Sequence, residues 1–95
     1  MFRKELLELL RGRPMTLYEI GRLVDATKRD VEDDVRHLAR TLEQSREYRL
    51  VVHPAQCRRC GFVFGPEHLH KPGKCPACRR TWITEPTLEV VARGA

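Results

Sequence analysis

The sequence has no long apolar run and no recognisable leader segment. No stretch approaches the roughly 18 to 20 apolar residues that a membrane-spanning helix needs. The first residues, MFRKELLELLRGRP, lack the apolar core of a secretory signal peptide. Internal repeats beyond the paired cysteine turns, low-complexity stretches and long linkers are also missing. We therefore expect a soluble, cytoplasmic protein that does not associate with membranes.

Signatures of catalysis are missing as well. The sequence contains no phosphate-binding glycine loop and no nucleophile with a recognisable base. It also offers no set of metal ligands that leaves a coordination position open for a substrate. We expect that the protein is not an enzyme.

Cysteine is scarce, and its placement is the most informative feature of the chain. All four cysteines fall in two CxxC pairs separated by 14 residues, Cys57 with Cys60 and Cys75 with Cys78. Two such turns can wrap four thiolates around one tetrahedral metal ion. Gly61 follows the first pair, where a metal-binding turn favours positive φ, and Pro76 stiffens the second turn. This pattern predicts a structural zinc ribbon with one zinc ion.

Three other uses of the cysteines compete with a zinc ribbon. Disulfides need an oxidising compartment, which the N-terminal sequence does not indicate. A redox dithiol normally lies in a βαβ context, which this sequence lacks. A tetrahedral site made only of sulfur suits iron as well as zinc, and we predict zinc.

Length and charge limit the remaining architecture. With 95 residues, the chain forms one compact unit or two very small ones, so metal binding should contribute directly to folding. The net charge of +5 favours polyanionic partners. Residues 1–50 carry 11 basic and 10 acidic side chains, whereas residues 51–95 carry 7 and 3, so the positive excess belongs mainly to the cysteine-rich half.

Three segments in the first half carry apolar residues at helical spacing. Gly12 and Pro14 should end the first helix, Thr16 with Glu19 forms a capping box for the second, and Thr27 caps the third with Asp30 as its partner. The apolar stripes are Phe2, Leu6, Leu7 and Leu10; Leu17, Ile20, Leu23 and Val24; and Val31, Val35, Leu38 and Leu42. Each stripe is expected to face the core.

Two β-prone segments flank the cysteines. Residues 48–54, YRLVVHP, and residues 87–92, TLEVVA, are predicted as strands that pair with each other. The metal loop would then be an insertion at the tip of a hairpin. The chain thus divides into residues 1–53, to which strand 87–92 returns, and a zinc ribbon over residues 54–86. Phe62, Phe64, Trp82 and Ile83 are expected to form a small core around the metal, with His68 and His70 on the surface.

Residues 16–42, TLYEIGRLVDATKRDVEDDVRHLARTL, resemble a helix-turn-helix. Together with VVHPAQCRRCGFVF and KCPACRRTWITEP, the chain resembles predicted prokaryotic transcriptional regulators in which a winged helix-turn-helix is fused to a rubredoxin-like zinc ribbon. The resemblance implies an α+β fold, a three-helix winged helix-turn-helix whose C-terminal hairpin, the wing, carries the four-cysteine zinc ribbon at its tip. Arg79 departs from the rubredoxin pattern, which has glycine there.

The resemblance implies that the third helix reads DNA. Basic side chains on its outward face would reach bases and phosphates, and the candidates are Lys28, Arg29, Arg36 and Arg40. However, residues 28–43 carry four basic and five acidic side chains. The ribbon offers a second basic surface, which either contacts phosphates or acidic protein or is simply solvated: Arg58, Arg59, Arg79 and Arg80, with Lys71 and Lys74.

Two functions therefore stay open. One is a sequence-specific transcriptional regulator that binds duplex DNA as a homodimer, because one small winged helix buries little surface on DNA. The other is an adaptor that contacts proteins of the transcription machinery, similar in plan to archaeal transcription factor E-alpha. The acidic third helix favours the adaptor, and the net charge favours the regulator.

Overall fold

The computed structural model describes residues 2–94, with side-chain environments from residue 5 onward. The elements are α1 (Phe2–Leu10), α2 (Leu17–Val24), α3 (Lys28–Glu43), β1 (Tyr48–His53) and β2 (Thr87–Ala92). The fold is therefore α+β, with three helices, a two-stranded antiparallel sheet and a cysteine-rich ribbon between the strands. The expected core position of the Phe2 side chain lies outside the described side chains. No helix within residues 2–94 is both long and apolar enough to cross a bilayer.

The helix starts follow the predicted caps. At α2, the Thr16 hydroxyl accepts from the Glu19 backbone N–H at 3.1 Å, and the Thr16 N–H donates to the Glu19 carboxylate at 2.9 Å. At α3, Thr27 accepts from the Asp30 N–H at 3.2 Å. These bonds satisfy backbone N–H groups that have no partner within the first helical turn.

The turn between α2 and α3 is tight. Asp25 closes α2 in the left-handed conformation, with φ of 55°, and the Ala26 N–H donates to the Gly21 carbonyl at 2.9 Å. A Cβ atom on Gly21 would lie 2.8 Å from the Ala26 carbonyl oxygen. Glycine is therefore needed at position 21 for the chain to turn this closely.

One apolar core joins the helices to the sheet. It contains most of the predicted stripe residues together with Met15 and, from β2, Leu88 and Val90. The prediction for Leu23 was wrong, because its side chain is 61% exposed. A short helix that packs on one side buries only a narrow stripe, and in α2 this stripe contains Leu17 and Ile20.

The sheet confirms the predicted pairing of the two strands. Its register runs from Tyr48 opposite Ala92 to His53 opposite Thr87. The loop after α1 lies along the other edge of β2, since the N–H groups of Gly12 and Met15 donate to β2 carbonyls at 3.0 Å. This third extended segment was not predicted, because a six-residue loop carries no strand periodicity.

The ribbon is anchored to the helices through the loop between its cysteine pairs. Leu69 is 6% exposed and belongs to the helical core, although it comes from the ribbon. Beside it, Nδ1 of His70 lies 3.3 Å from Oε1 of Glu32 on α3. The ribbon is thus joined to the helical core through Leu69 and to α3 through the polar contact of His70.

Candidate metal centre and basic surfaces

The four cysteine sulfurs converge at one point. All lie within 4.8 Å of one another, and the pairs Cys57–Cys78 and Cys60–Cys75 are each 3.6 Å apart. A Zn–S bond of about 2.3 Å places the sulfurs of a tetrahedron about 3.8 Å apart. Four cysteines are therefore positioned to bind one metal ion, and this set is consistent with structural zinc.

The two CxxC turns have the same backbone hydrogen bonds. In the first, the Gly61 N–H donates to the Cys57 carbonyl at 2.9 Å, and the Cys57 N–H donates to Phe62 at 2.8 Å. In the second, the Arg79 N–H donates to Cys75 at 2.8 Å, and the Cys75 N–H donates to Arg80 at 2.9 Å. The turns therefore hold their sulfurs in equivalent positions on either side of the site.

The residue after each second cysteine has positive φ. Gly61, with φ of 83°, meets the expectation from sequence. Arg79 adopts the same left-handed region, with φ of 63°. The hydrogen bonds of the turn thus impose on Arg79 a conformation that glycine adopts at lower cost.

The backbone around the sulfurs favours ionised thiols. Hydrogen bonding from the Cys60 N–H, and more weakly from the Arg59 N–H, outweighs burial and lowers the pKa of Cys57 to about 6. At Cys75, burial raises the pKa, but the N–H groups of Cys78 and Ala77 act with neighbouring thiols to give a net lowering. These N–H groups favour the thiolate form that binds metal.

The thiol of Cys60 lies close to three other thiols, and this crowding disfavours its ionised form. The Phe62 N–H stabilises its thiolate, but burial and the three neighbouring thiols raise the pKa of Cys60 to about 12. A divalent cation removes this cost, because it favours the thiolate at every ligand. The donor set fits a metal and is poorly suited to four free thiols.

Three short extended segments surround the site. Gln56 bridges to Val63, and Cys57 bridges to Ile83, so the segment that leads into the first turn lies between the other two. The small core contains Ala55, Phe64 and Ile83 with the sulfurs of Cys57 and Cys75. The prediction that Phe62 and Trp82 belong to this core was wrong, because they are 37% and 61% exposed.

Family comparisons agree with this geometry. A model described as PF0610-like, N-terminal matches residues 2–51, and a model described as PF0610 rubredoxin-like zinc beta-ribbon domain matches residues 54–92. The chain belongs to the PF0610-like family.

A solved structure has the same arrangement over most of its length. Protein PF0610 from Pyrococcus furiosus, determined in solution by NMR, is similar to this chain with a TM-score of 0.74 and 30% sequence identity. The match covers 93% of this chain and 86% of that protein. A comparison with curated proteins gave no significant match.

In this PF0610-like chain, the four basic residues of α3 that were predicted to contact DNA are all exposed. They do not all lie on the same face of the helix. Side chains repeat every 3.6 residues, so Arg29, Arg36 and Arg40 fall on the face opposite the buried stripe, with Asp33 among them. Lys28 lies toward the flank. The Nη2 atom of Arg36 contacts Glu32 at 2.8 Å.

Asp30 and Asp34 of α3 lie on another side of the helix, next to a cleft that Asp33 also lines. This cleft of about 430 Å³ between the end of α2 and the start of α3 is lined by Ala26, four carboxylates and one histidine, the last two groups being Asp25, Asp30, Asp33, Asp34 and His37. Glu32 lies on the opposite flank. The hydrogen bond from Arg36 lowers the pKa of Glu32, with burial opposing this and His70 adding to it.

The basic residues of the ribbon are also exposed. Arg58 places its guanidinium 5.5 Å from the centre of the Trp82 ring, while Arg59, Arg79 and Arg80 project from the two turns. Within the described residues, the ion pairs include none of these four arginines. Their positive charge is therefore available to a partner.

The histidines do not complete the metal site. His68 and His70 are exposed, as expected from sequence, and pair with Glu67 and Glu32. His53 forms a cross-strand contact of 2.9 Å with Glu89, which the sequence did not indicate. Sequence reasoning also missed Leu69, although a single leucine in the polar stretch GPEHLHKPG is a recognisable sign of an anchor.

Proposed function

We propose that this protein is a DNA-binding transcriptional regulator in which the helices and hairpin act as a winged helix-turn-helix. The element order supports this, with three helices followed by a hairpin. The extended loop between α1 and α2 supports the proposal further. It pairs with the free edge of β2, so that three extended segments lie side by side next to the helices. The tight turn at Asp25 fixes α2 against α3, as a helix-turn-helix requires.

The observation that carries the proposal is the outward face of α3. Arg29, Arg36 and Arg40 lie exposed along one side, spaced over about three turns. The helix has no net positive charge, since Asp33 lies among these arginines and Glu32 pairs with Arg36, whereas Asp30 and Asp34 lie on another side that faces the cleft. A helix entering the major groove would present these arginines to phosphates and base edges.

The metal centre has a structural role in this proposal. Four sulfurs fill a zinc tetrahedron and leave no position for water or substrate, so the site offers no route to hydrolytic catalysis. We assign zinc rather than iron to the site and no enzymatic activity to the protein. Homodimer formation would supply the surface that one small module lacks.

Fluorescence anisotropy of the zinc-loaded protein with labelled random duplex DNA tests the proposal. The logarithm of the binding constant should fall linearly with the logarithm of salt concentration, by about 0.9 for each phosphate contact. The double variant Arg29→Glu, Arg40→Glu should bind at least about tenfold more weakly, with a slope smaller by about 2. Arg46→Glu, an exposed charge beyond the end of α3, is the matched control.

A protein-binding adaptor is the second candidate. The acidic cleft at the start of α3 favours it, because its four aspartates repel phosphate and suit a basic protein segment. An adaptor should show no binding to duplex DNA even at low salt. The Arg29→Glu, Arg40→Glu variant and the Arg46→Glu variant should then give the same anisotropy as the unchanged protein.

A further inference from the structure

We propose that the outer face of the ribbon binds a single strand of nucleic acid. This face is defined by the side chains of Gln56, Arg58, Val63, Trp82 and Thr84. The proposal does not depend on duplex recognition by α3, because it concerns a different surface and a different form of nucleic acid.

The three extended segments separate their side chains onto two faces. Successive side chains of an extended chain point to opposite sides. Cys57 and Ile83, which face each other across one bridge, are 1% and 4% exposed and point into the small core of the ribbon. Their neighbours therefore point outward, including Arg58 and Trp82, whose backbones are joined by a 2.8 Å hydrogen bond.

The outer face carries apolar surface that the fold does not use. Trp82 is 61% exposed and Val63 is 53% exposed, although the small core lies only one residue away on either segment. The backbone beneath them is fixed, since the Thr84 N–H donates to Gln56 and the Gln56 N–H donates to the Thr84 hydroxyl, both at 2.9 Å. The face is thus a rigid platform with an aromatic ring on it.

Trp82 and Arg58 together match the chemistry of a nucleotide. The guanidinium lies over the indole ring, 5.5 Å from its centre, so a base that stacks there either packs on the guanidinium plane or displaces it, which leaves the cation free for the adjacent phosphate. Bases expose their flat faces in single strands but are stacked on each other in a duplex. A single strand is therefore the form of nucleic acid that this pair fits.

The positive charge of the ribbon favours a polyanion as the partner of this face over an apolar protein surface. Residues 54–86 contain six basic and two acidic side chains, so the ribbon stays positive even with four thiolates on one divalent ion. Arg59 and Arg80 are exposed within the same turns and make no ion pair with any described residue. These charges can follow the phosphates of a strand whose base lies on Trp82.

The test uses the fact that Trp82 is the only tryptophan in the chain. Zinc-loaded protein is titrated at low salt with oligo(dT), oligo(rU) and a duplex of the same length, while indole fluorescence is recorded. We expect saturable quenching by a single strand that weakens as salt is raised, and little quenching by the duplex. Quenching by oligo(dT) alone would identify DNA as the natural strand, and quenching by oligo(rU) alone would identify RNA.

Variants separate stacking from general attraction, with binding followed by anisotropy of the labelled strand. Trp82→Ala should weaken binding at least about fivefold, whereas Trp82→Phe should keep most of it. Tyr18→Ala is the matched control, because Tyr18 on α2 is 57% exposed with the Arg22 guanidinium 5.9 Å from its ring centre. It should bind like the unchanged protein.

Three results would overturn the proposal. They are no quenching by either strand, quenching by duplex as strong as by single strand, and equal losses of strand affinity from Trp82→Ala and Tyr18→Ala. The first of these would leave a protein as the partner of this face. Each variant is first shown to hold one zinc per chain, so that loss of the fold is not counted as loss of binding.

Discussion

Gly61 and Arg79 occupy equivalent positions in the two metal-binding turns, and both have positive φ. No atom lies within 4 Å of a Cβ placed on Gly61, so a side chain there would meet no steric clash. The left-handed backbone alone should make Gly61→Ala destabilising, by about 1 kcal/mol. Thermal unfolding of the zinc-loaded protein measures this loss.

Gly73 provides the control for this prediction. A Cβ there also meets nothing within 4 Å, and Gly73 does not have positive φ. Gly73→Ala should therefore be neutral or slightly stabilising, because alanine restricts the unfolded chain. Equal shifts in melting temperature for the two variants would contradict the assignment of strain to the turn.

Glu32 makes stability depend on pH. Its folded pKa lies below the ordinary value of 4.5, chiefly because Arg36 donates a hydrogen bond to the carboxylate. The resulting stability is fully present above that ordinary value and is lost as pH falls through the lowered folded pKa. Since the Arg36 side chain is 47% exposed, the effect should stay below about 1 kcal/mol.

Urea unfolding of the zinc-loaded protein from pH 7 downward tests this effect. The free-energy difference between the unchanged protein and Glu32→Gln should be fully present above the ordinary pKa of 4.5 and should shrink as pH falls through the lowered folded pKa of Glu32. Glu43→Gln, at the exposed end of α3 and in no described ion pair, should give a difference with little pH dependence. A Glu32 difference that grows toward acid would contradict the prediction.

At the scale of elements, Leu69 joins the ribbon to the helical core. Removing its side chain leaves a cavity in the helical core, so Leu69→Ala should cost about 2 to 4 kcal/mol. Leu23→Ala is a matched control, because Leu23 is 61% exposed and should cost less than about 0.5 kcal/mol. Helical circular dichroism during urea unfolding measures both values, and similar costs would show that Leu69 does not anchor the ribbon.

Local signals explain which elements could be predicted from the sequence. Apolar periodicity and the caps at Thr16 and Thr27 identify α2 and α3, and the spacing of the cysteines identifies the metal site. Contacts between distant segments leave weaker signals: the loop beside β2 has no strand periodicity, and Leu69 was missed because one leucine in a polar stretch does not show where it docks. Only the arrangement of whole elements decides these contacts.

The errors have equally specific causes. Leu23 continues an apolar stripe in the sequence, but α2 contacts the core only around Leu17 and Ile20, so Leu23 stays exposed. Trp82 follows the second cysteine pair as a core residue would, but the extended segment turns alternate side chains outward. In a ribbon this small, the metal replaces much of the core, so large apolar residues need not be buried. The domain division at residue 53 stays a prediction.

At the scale of the whole molecule, two apolar clusters differ in their dependence on metal. The ribbon cluster has five buried residues, and two of them, Cys57 and Cys75, are ligands. The helical cluster draws only Leu69 from the ribbon. Removing zinc should therefore unfold the ribbon completely, whereas the helices should stay folded with a lower melting temperature.

Zinc chelation of the unchanged protein and of Leu69→Ala tests both parts of this expectation. In the unchanged protein, amide resonances of residues 54–86 should collapse to unfolded positions, while those of the helices persist. The fall in helical melting temperature on chelation should be much smaller in Leu69→Ala, because the contact that transmits the loss is already gone. Loss of all helical signal on chelation would mean that the helices cannot fold without the ribbon. Equal falls in both proteins would place the coupling in the hairpin of β1 and β2 instead of Leu69.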